Sequence, residues 1–249
     1  MTPLTPVAVR PMPLTADLES LVDGIPGWSP ADQLYTLSTL VYTTSHLSGD
    51  IVEVGSWCGR SAVALGLAAR DTDGTVHCID LFPGRDDWYE QSDGSFSFTV
   101  HIGGLPYVGY EQVSVWPEPF RTQLMPLYDE CPSILERFHR NVRSRGLESV
   151  VQAHRGTSET FTATLPPEFR CRLIFIDGDH SYRAVSSDID RLEPFLLPGG
   201  WICFDDAFSS YDGVDRAITD RILDNPTYDI KRQMTRKCFI ARRAPLEIR

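Results

Sequence analysis

The sequence predicts an α/β fold: a Rossmann-like, doubly wound and mostly parallel sheet that ends in an antiparallel strand pair. Residues 51–61, IVEVGSWCGRS, place a glycine turn between an apolar strand and an apolar, helix-like segment at 62–69. Farther along the chain, strand-like runs alternate with helical periodicity over short connections, as expected of a parallel sheet covered on both faces. Ligands of such sheets bind at the carboxyl ends of the strands, so we expect the turn at 55–59 to hold a small molecule.

Length and composition favour one domain without polyanionic partners. The chain has 249 residues, 42% of them hydrophobic, which predicts a single domain over 1–249 with an N-terminal arm and helix at 1–48. The net charge of -11 argues against a nucleic-acid partner. The first 15 residues resemble neither a signal peptide nor a membrane anchor, and six widely spaced cysteines are typical of buried free thiols. We therefore expect a cytoplasmic protein with no membrane partner.

The elements before residue 83 follow from local signals. A Pro-rich arm that lies on the surface or on a partner subunit is expected up to Gly27, with a short helix at 16–22. Ser29 is the predicted N-cap of the next helix, and Pro30 is its predicted first residue. A buried strand then leads into the glycine turn, and a second strand at 75–79 follows the turn Asp73-Gly74.

The elements after residue 130 continue the alternation. Helical spacing ends at glycines, and short apolar runs mark the strands. The predicted order is a helix at 132–145, strands at 150–153 and 171–176, a helix at 185–196, a strand at 201–204, a helix at 213–223 and an antiparallel pair at 228–232 and 237–241.

Residues 83–130 break this pattern. The segment is rich in glycine, proline and aromatic residues, and such long aromatic loops are seldom disordered. We expect an insertion that covers the substrate. The alternative is an insertion that only packs on the core or on another subunit, and either arrangement leaves a homodimer plausible.

The glycine spacing bears on the ligand. Gly55 and Gly59 are separated by three residues, which departs from the G-x-G-x-x-G pattern of dinucleotide sites. Asp80 ends the second predicted strand, where a carboxylate can accept hydrogen bonds from ribose hydroxyls. A turn or helix cap is the alternative role for this residue.

Four motifs together resemble those of class I S-adenosylmethionine-dependent methyltransferases. They are E-x-G-S-x-x-G-x-S at 53–61, Asp80, FIDGDHSY at 175–182 and LLPGGWICFDD at 196–206. The resemblance implies the class I methyltransferase fold and a small-molecule acceptor. It also implies cofactor contacts from Glu53, Gly55, Ser56, Gly59, Asp80, Ser158 and Asp177.

Aspartates follow two of the predicted strands. Asp177 and Asp179 come after one strand, and Asp205 and Asp206 come after the next. If these strands are neighbours about 4.8 Å apart, the carboxylates converge and repel one another unless a cation neutralises them or their pKa values rise. Short oxygen ligands suit a hard ion, so Mg²⁺ is expected, with Ca²⁺ and Mn²⁺ as alternatives.

This arrangement is similar to that of metal-dependent sugar O-methyltransferases of antibiotic pathways. The resemblance implies Asp177, Asp205 and Asp206 as metal ligands and Asp179 as the general base. His180 is a rival base because an unperturbed imidazole titrates near neutrality. Structural hydrogen bonds of the histidine and capping by the aspartates are the alternatives.

The sequence thus predicts O-methylation of a hydroxyl on a sugar or glycosylated small molecule, with S-adenosylmethionine and Mg²⁺. A catechol or phenol acceptor is the rival within enzymes. A non-catalytic module that binds S-adenosylmethionine or NAD is the rival from another class.

Overall fold

The computed structural model describes residues 18–110 and 115–246. Its strands are β1 (Asp50–Val54), β2 (Val76–Asp80), β3 (Trp88–Glu90), β4 (Phe96–Ile102), β5 (Leu105–Gly109), β6 (Val151–Arg155), β7 (Cys171–Ile176), β8 (Leu196–Phe204), β9 (Tyr228–Gln233) and β10 (Phe239–Arg243). Its helices are α1 (Leu18–Val22), α2 (Ala31–Thr43), α3 (Arg60–Arg70), α4 (Pro117–Pro119), α5 (Ile134–Arg143), α6 (Ser158–Thr162), α7 (Tyr182–Leu192) and α8 (Asp212–Ile218).

Seven strands form the central sheet in the order β6-β2-β1-β7-β8-β10-β9. The first five of these are parallel, and β10 runs antiparallel to both β8 and β9. The predicted fold class is confirmed, including the closing antiparallel pair. The chain reverses its direction of winding between β1 and β7, and ligands of doubly wound sheets bind at such a reversal.

Helices cover both faces of the sheet because the side chains of each strand alternate. In β1, Ile51 packs with α2 and α3 in one buried cluster, whereas Val52 packs with α7 and α8 in the other. Four strands end in register at Val54, Ile79, Ile176 and Phe204. The residues that follow these positions therefore lie along one edge of the sheet.

Several predicted boundaries differ from the structure. Helix α2 has Pro30, not Ser29, as its N-cap, and no side chain caps it. Helix α7 ends at Leu192 and a 3₁₀ turn follows, so the predicted end at 196 is wrong. The segment Pro198-Gly199-Gly200 lies inside β8, whose pairing with β7 shifts register there. The two glycines, which resemble a helix stop in the sequence, allow the irregular pairing of β8 with β7 at this point.

The N-terminal prediction holds in part. Helix α1 lies where a short helix was expected, but Val22 is fully buried and packs in the core of the chain. The Arg60 guanidinium donates to the carbonyl oxygens of Val22 and Ile25 and fixes the segment there. Its described part therefore packs on the chain's own core through Leu18, Val22 and Ile25. Residues 1–17 of the predicted arm lie outside the described residues.

The insertion contains a second sheet, β3-β4-β5, that the sequence analysis did not predict. Its strands are antiparallel, and the ring of Phe98 packs so closely on Gly109 that no side chain fits there. Phe96 stacks on Phe120 with ring centroids 3.8 Å apart. After α4, a π-helical turn and a 3₁₀ turn lead back toward α5.

All six cysteines are buried free thiols, as predicted. No helix within residues 18–110 or 115–246 has both the length and the apolarity needed to cross a lipid bilayer.

Candidate active site

The glycine turn after β1 is shaped by a close approach to the end of β7. Gly55 has a φ of 88°, and a Cβ placed on it would lie 1.9 Å from the carbonyl oxygen of Asp177. The Asp177 N–H donates to the carbonyl of Val54 at 2.8 Å. Only glycine satisfies both conditions, so the backbone lies bare at this edge of the sheet.

The remainder of the turn leaves polar atoms without partners. Gly59 caps α3 with a φ of 89°, and Trp57 also has a left-handed φ of 45°. Ser56 Oγ and Trp57 Nε1 are buried and find no hydrogen-bond partner among the described residues. Because such atoms are costly to leave unpaired, they point to a ligand or water at the turn.

Glu53 lies under the turn and is fully buried. Burial raises the pKa of this carboxyl, and nearby polar groups on Ser56, Ser61 and Cys78 oppose the rise. Neither of its oxygens has a hydrogen-bond partner within the described part of the chain. Glu53 was predicted to contact a cofactor. Its side chain is instead enclosed beneath the glycine turn, whose backbone lies between it and the expected cofactor position.

Asp80 holds both loops at the ends of β1 and β2. Its carboxylate accepts from the Trp57 N–H at 2.9 Å and from the Phe82 N–H at 2.6 Å. Burial raises the pKa of Asp80, and these two hydrogen bonds oppose the rise. Asp80 thus caps both loops, which is the alternative role predicted for it. A carboxylate can accept about four hydrogen bonds, so two acceptor sites of Asp80 remain for a ligand.

Ser158 begins α6 directly after its N-cap, Thr157. Its buried hydroxyl donates to Asp188 Oδ1 at 2.5 Å. Burial raises the pKa of Asp188 to about 7, and the serine hydrogen bond opposes the rise. The Ser158 hydroxyl is therefore engaged inside the protein.

The aspartates at the ends of β7 and β8 converge, as their spacing predicts. The two strands pair in parallel, and the Asp205 N–H donates to the carbonyl of Ile176 at 2.9 Å. One ligand atom each from Asp177, His180 and Asp205 lies within 4.8 Å of the other two. The pKa of Asp177 is well above its usual range because the side chain is buried and faces Asp205.

The two candidate bases have different surroundings. His180 Nε2 lies 3.5 Å from Asp206 Oδ2 and 3.9 Å from Asp177 Oδ1, and its ring stacks on Tyr211 at 4.4 Å. Burial lowers the pKa of His180 against the opposing charges of the aspartates. Asp179, in contrast, accepts from the backbone N–H of Ser181 at 2.8 Å, at the start of α7. The three converging ligand atoms thus include one from His180, while the charge of Asp179 also acts on this histidine and one oxygen of Asp179 is engaged at the start of α7.

Residues 52–207 match the family model described as a methyltransferase domain. The chain belongs to this methyltransferase family. The match spans the glycine turn, Asp80, Ser158 and the aspartate cluster, and the chain is therefore an S-adenosylmethionine-dependent methyltransferase.

Solved methyltransferase structures share the fold. The O-methyltransferase NovP is similar with a TM-score of 0.57 at 19% identity, over 86% of this chain and 80% of that one. CalS11, a TDP-rhamnose 3'-O-methyltransferase of calicheamicin biosynthesis, gives a TM-score of 0.54 at 17% identity over 90% and 86%. TomG from Streptomyces achromogenes, involved in tomaymycin synthesis and solved with S-adenosylmethionine, gives 0.54 at 14% over 92% and 87%.

Sequence reasoning missed a lysine in the methyltransferase's aspartate cluster. Lys237 Nζ lies 2.8 Å from Asp205 Oδ2 and 3.4 Å from Asp206 Oδ1. Burial alone would lower the pKa of Lys237, but the carboxylates outweigh it and raise the pKa, so the side chain is an ammonium. The available signal was topological: β10 pairs with β8 at Phe239 and Phe204, which brings the hairpin before β10 beside the aspartates.

A tyrosine from the insertion was also missed. Tyr110 follows β5 with a left-handed φ of 60° and stacks on Trp88 at 5.9 Å. Burial raises the pKa of its hydroxyl, and the charges of Asp80 and Asp177 raise it further. The insertion therefore reaches the same edge of the methyltransferase sheet as the turn and the aspartates.

Proposed function

We propose that this methyltransferase transfers a methyl group from S-adenosylmethionine to a hydroxyl of a sugar or glycosylated small molecule, assisted by Mg²⁺. The supporting observation is that Asp177, His180 and Asp205 meet on the sheet edge that also carries the glycine turn. An acceptor held at these side chains lies beside a donor held at the turn. CalS11 acts on a TDP-sugar and shares the fold, which favours a sugar hydroxyl and a role in natural product biosynthesis.

The turn suits the donor. S-adenosylmethionine, when bound, supplies the methyl group from its sulfonium. We assign its methionine part to Gly55, Ser56 and Gly59, where the left-handed glycines leave the backbone without side chains between it and a ligand. The two remaining acceptor sites of Asp80 suit the ribose hydroxyls. TomG was solved with the same cofactor on the same fold.

Two further predicted cofactor residues are enclosed. The Glu53 side chain is fully buried, and the Ser158 hydroxyl is bonded to Asp188. We propose that they support the methionine-side and adenine-side loops from beneath. Asp177 contributes through its backbone at the turn and through its side chain at the metal.

The aspartate cluster fits a hard cation. Asp205 is 3% exposed, and its Oδ1 has no hydrogen-bond partner in the described chain. We assign Mg²⁺ to Asp177, Asp205 and Asp206, because this ion prefers oxygen ligands. Mg²⁺, when bound, lowers the pKa of a coordinated hydroxyl and orients it. The imidazole of His180 is then left for another role.

We propose His180 as the general base, with Asp179 as the rival. Methyl transfer is an in-line displacement, so the protein must align the acceptor oxygen and accept its proton. His180 Nε2 is unpartnered among residues 18–110 and 115–246 and faces the aspartates, whereas one oxygen of Asp179 is committed to Ser181. Stacking on Tyr211 fixes the plane of the imidazole.

We propose that the insertion over 83–130 covers the acceptor. Support comes from Tyr110, which lies within electrostatic range of both Asp80 and Asp177. Leu105 and Trp116 of the insertion are exposed, which is compatible with a homodimer. The six free thiols are compatible with a reducing cytoplasm.

The test is methyl transfer from isotopically labelled S-adenosylmethionine to a panel of TDP-sugars, glycosides and catechols, with and without EDTA. We expect label in a sugar-containing product, loss of turnover with EDTA and recovery with Mg²⁺. Turnover of catechols alone would favour the phenol alternative, because a metal can also chelate paired phenolic oxygens. Turnover that is unaffected by EDTA would remove the metal from the proposal.

A further inference from the structure

We propose that Lys237 is a built-in competitor of the metal ion: its ammonium holds two of the carboxylates that the metal needs and keeps the metal affinity low. This inference rests on the metal site of the proposed function. It concerns a residue outside the predicted ligand set, on the hairpin between β9 and β10.

The ion pair engages the metal ligands directly. Lys237 Nζ lies 2.8 Å from Asp205 Oδ2 and 3.4 Å from Asp206 Oδ1. Only 9% of the lysine side chain and 3% of the Asp205 side chain are exposed. With so little water to screen them, these charges interact far more strongly than a surface ion pair does.

The cluster can still admit a cation. Asp205 Oδ1 has no hydrogen-bond partner among the described residues, and one carboxylate oxygen of Asp205 lies within 4.8 Å of one of Asp177. A divalent ion bound there would face the Lys237 ammonium across a single carboxylate. The two like charges would repel each other in a poorly solvated site.

Lys237 also orients Asp205 through its hydrogen bond, and this effect favours metal binding, whereas the charge of the lysine opposes it. The Asp205 backbone is already fixed by its hydrogen bond to Ile176, and the surrounding core confines its side chain. Losing one orienting hydrogen bond is therefore a small effect beside removing a buried positive charge. The net effect of neutralising Lys237 is tighter metal binding.

The charges around Lys237 are otherwise negative. Asp177 also acts on the Lys237 ammonium, after Asp205 and ahead of Asp206. Removing the lysine leaves the Asp205 and Asp206 carboxylates without the ammonium that pairs with them, which costs stability in the absence of metal. A divalent cation then becomes the natural replacement.

The experiment is a titration of the full chain with Mn²⁺, followed by electron paramagnetic resonance, with Mg²⁺ as competitor. Lys237→Gln removes the charge and retains a hydrogen-bond donor toward Asp205, whereas Lys237→Met removes both. We expect both variants to bind Mn²⁺ at least tenfold more tightly than the wild type. Lys237→Arg retains the charge and should stay within about threefold of the wild type.

Thermal melting gives a second readout that does not depend on activity. A ligand that binds the folded state raises the melting temperature, so Mg²⁺ should raise that of Lys237→Gln more than that of the wild type. The double variant Lys237→Gln/Asp205→Asn should lose this additional Mg²⁺-induced rise in melting temperature. This comparison also detects a variant that folds only with metal.

The outcomes separate this inference from the proposed function. Equal Mn²⁺ affinity in the wild type and both neutral variants would overturn the role of Lys237 and leave the metal site standing. Absence of Mn²⁺ binding in every protein, with methyl transfer unaffected by EDTA, would overturn both the competition and the metal. Weaker binding by the neutral variants would show that orientation dominates and would also overturn the inference.

Discussion

Asp188 is a buried acid that no predicted role uses. Its carboxyl accepts the Ser158 hydroxyl and has a pKa raised to about 7 by burial. In the unfolded chain the same carboxyl returns to its ordinary value near 4. Between these two values the folded state binds more protons, so this residue makes the protein less stable as the pH rises from about 4 to 7.

Asp188→Asn should remove that dependence. The free energy of unfolding in urea, measured at pH 5 and pH 8, should fall less with pH in the variant than in the wild type, by about 1 kcal/mol or more. Asp190→Asn is the matched control, because Asp190 is exposed and pairs with Arg221 on the surface. Identical pH dependence in the wild type and Asp188→Asn would contradict the raised pKa.

The sequence predicts the site residues that lie at the ends of apolar strands. It does not predict a site residue that another part of the fold brings to the same edge. Gly55, Asp80, Asp177 and Asp205 each follow an apolar strand, so the expected edge of the sheet already gathers them. Lys237 reaches the cluster from another hairpin, and no local pattern distinguishes it from a surface lysine.

At the scale of elements, the insertion is held together by aromatic packing. Trp88 contacts the rings of Phe98, Tyr110 and Phe120, and its indole N–H donates to the Tyr128 hydroxyl at 2.8 Å. These contacts join the small sheet to the turns that follow α4. Trp88 is therefore the residue on which the shape of the insertion depends most.

Trp88→Ala should loosen the insertion. Large-to-small changes of a fully buried aromatic side chain cost about 3–5 kcal/mol. Trp88 is half-buried, so we expect a loss at or below the low end of this range, including its hydrogen bond. Urea unfolding should show this loss, and limited proteolysis should cut first within 88–128. Tyr89→Ala is the control, because Tyr89 is 43% exposed and should change stability by less than about 0.5 kcal/mol. Equal effects of the two changes would contradict the packing account.

The regular elements were predictable where periodicity is strong, and the small sheet was not. Strand β7 and the second half of β8, at 201–204, read as apolar runs because most of their side chains are buried. Strands β3 and β5 are short and largely exposed, with Pro106 and Gly109 in β5. Residues of this kind indicate turns, so the sequence favoured a loop where cross-strand aromatic contacts form a sheet.

At the scale of the whole molecule, topology assembles the site. Parallel strands with ends in register place Gly55, Asp80, Asp177 and Asp205 at one edge, and the reversal between β1 and β7 opens a crevice there. The antiparallel β10 adds Lys237 beside β8. The donor turn and the aspartate cluster are therefore neighbours because of the strand order, although they lie more than a hundred residues apart in sequence.

The most direct test of this account is calorimetric titration of the intact chain with S-adenosylhomocysteine and, separately, with NAD. We expect one site for S-adenosylhomocysteine and no measurable NAD binding, because the Gly55 to Gly59 spacing lacks the dinucleotide pattern. Asp80→Asn should weaken S-adenosylhomocysteine at least tenfold, and Asp86→Asn, an exposed aspartate nearby, should leave it unchanged. Binding of NAD with no heat from S-adenosylhomocysteine would contradict the assignment of the turn as a methyl-donor site.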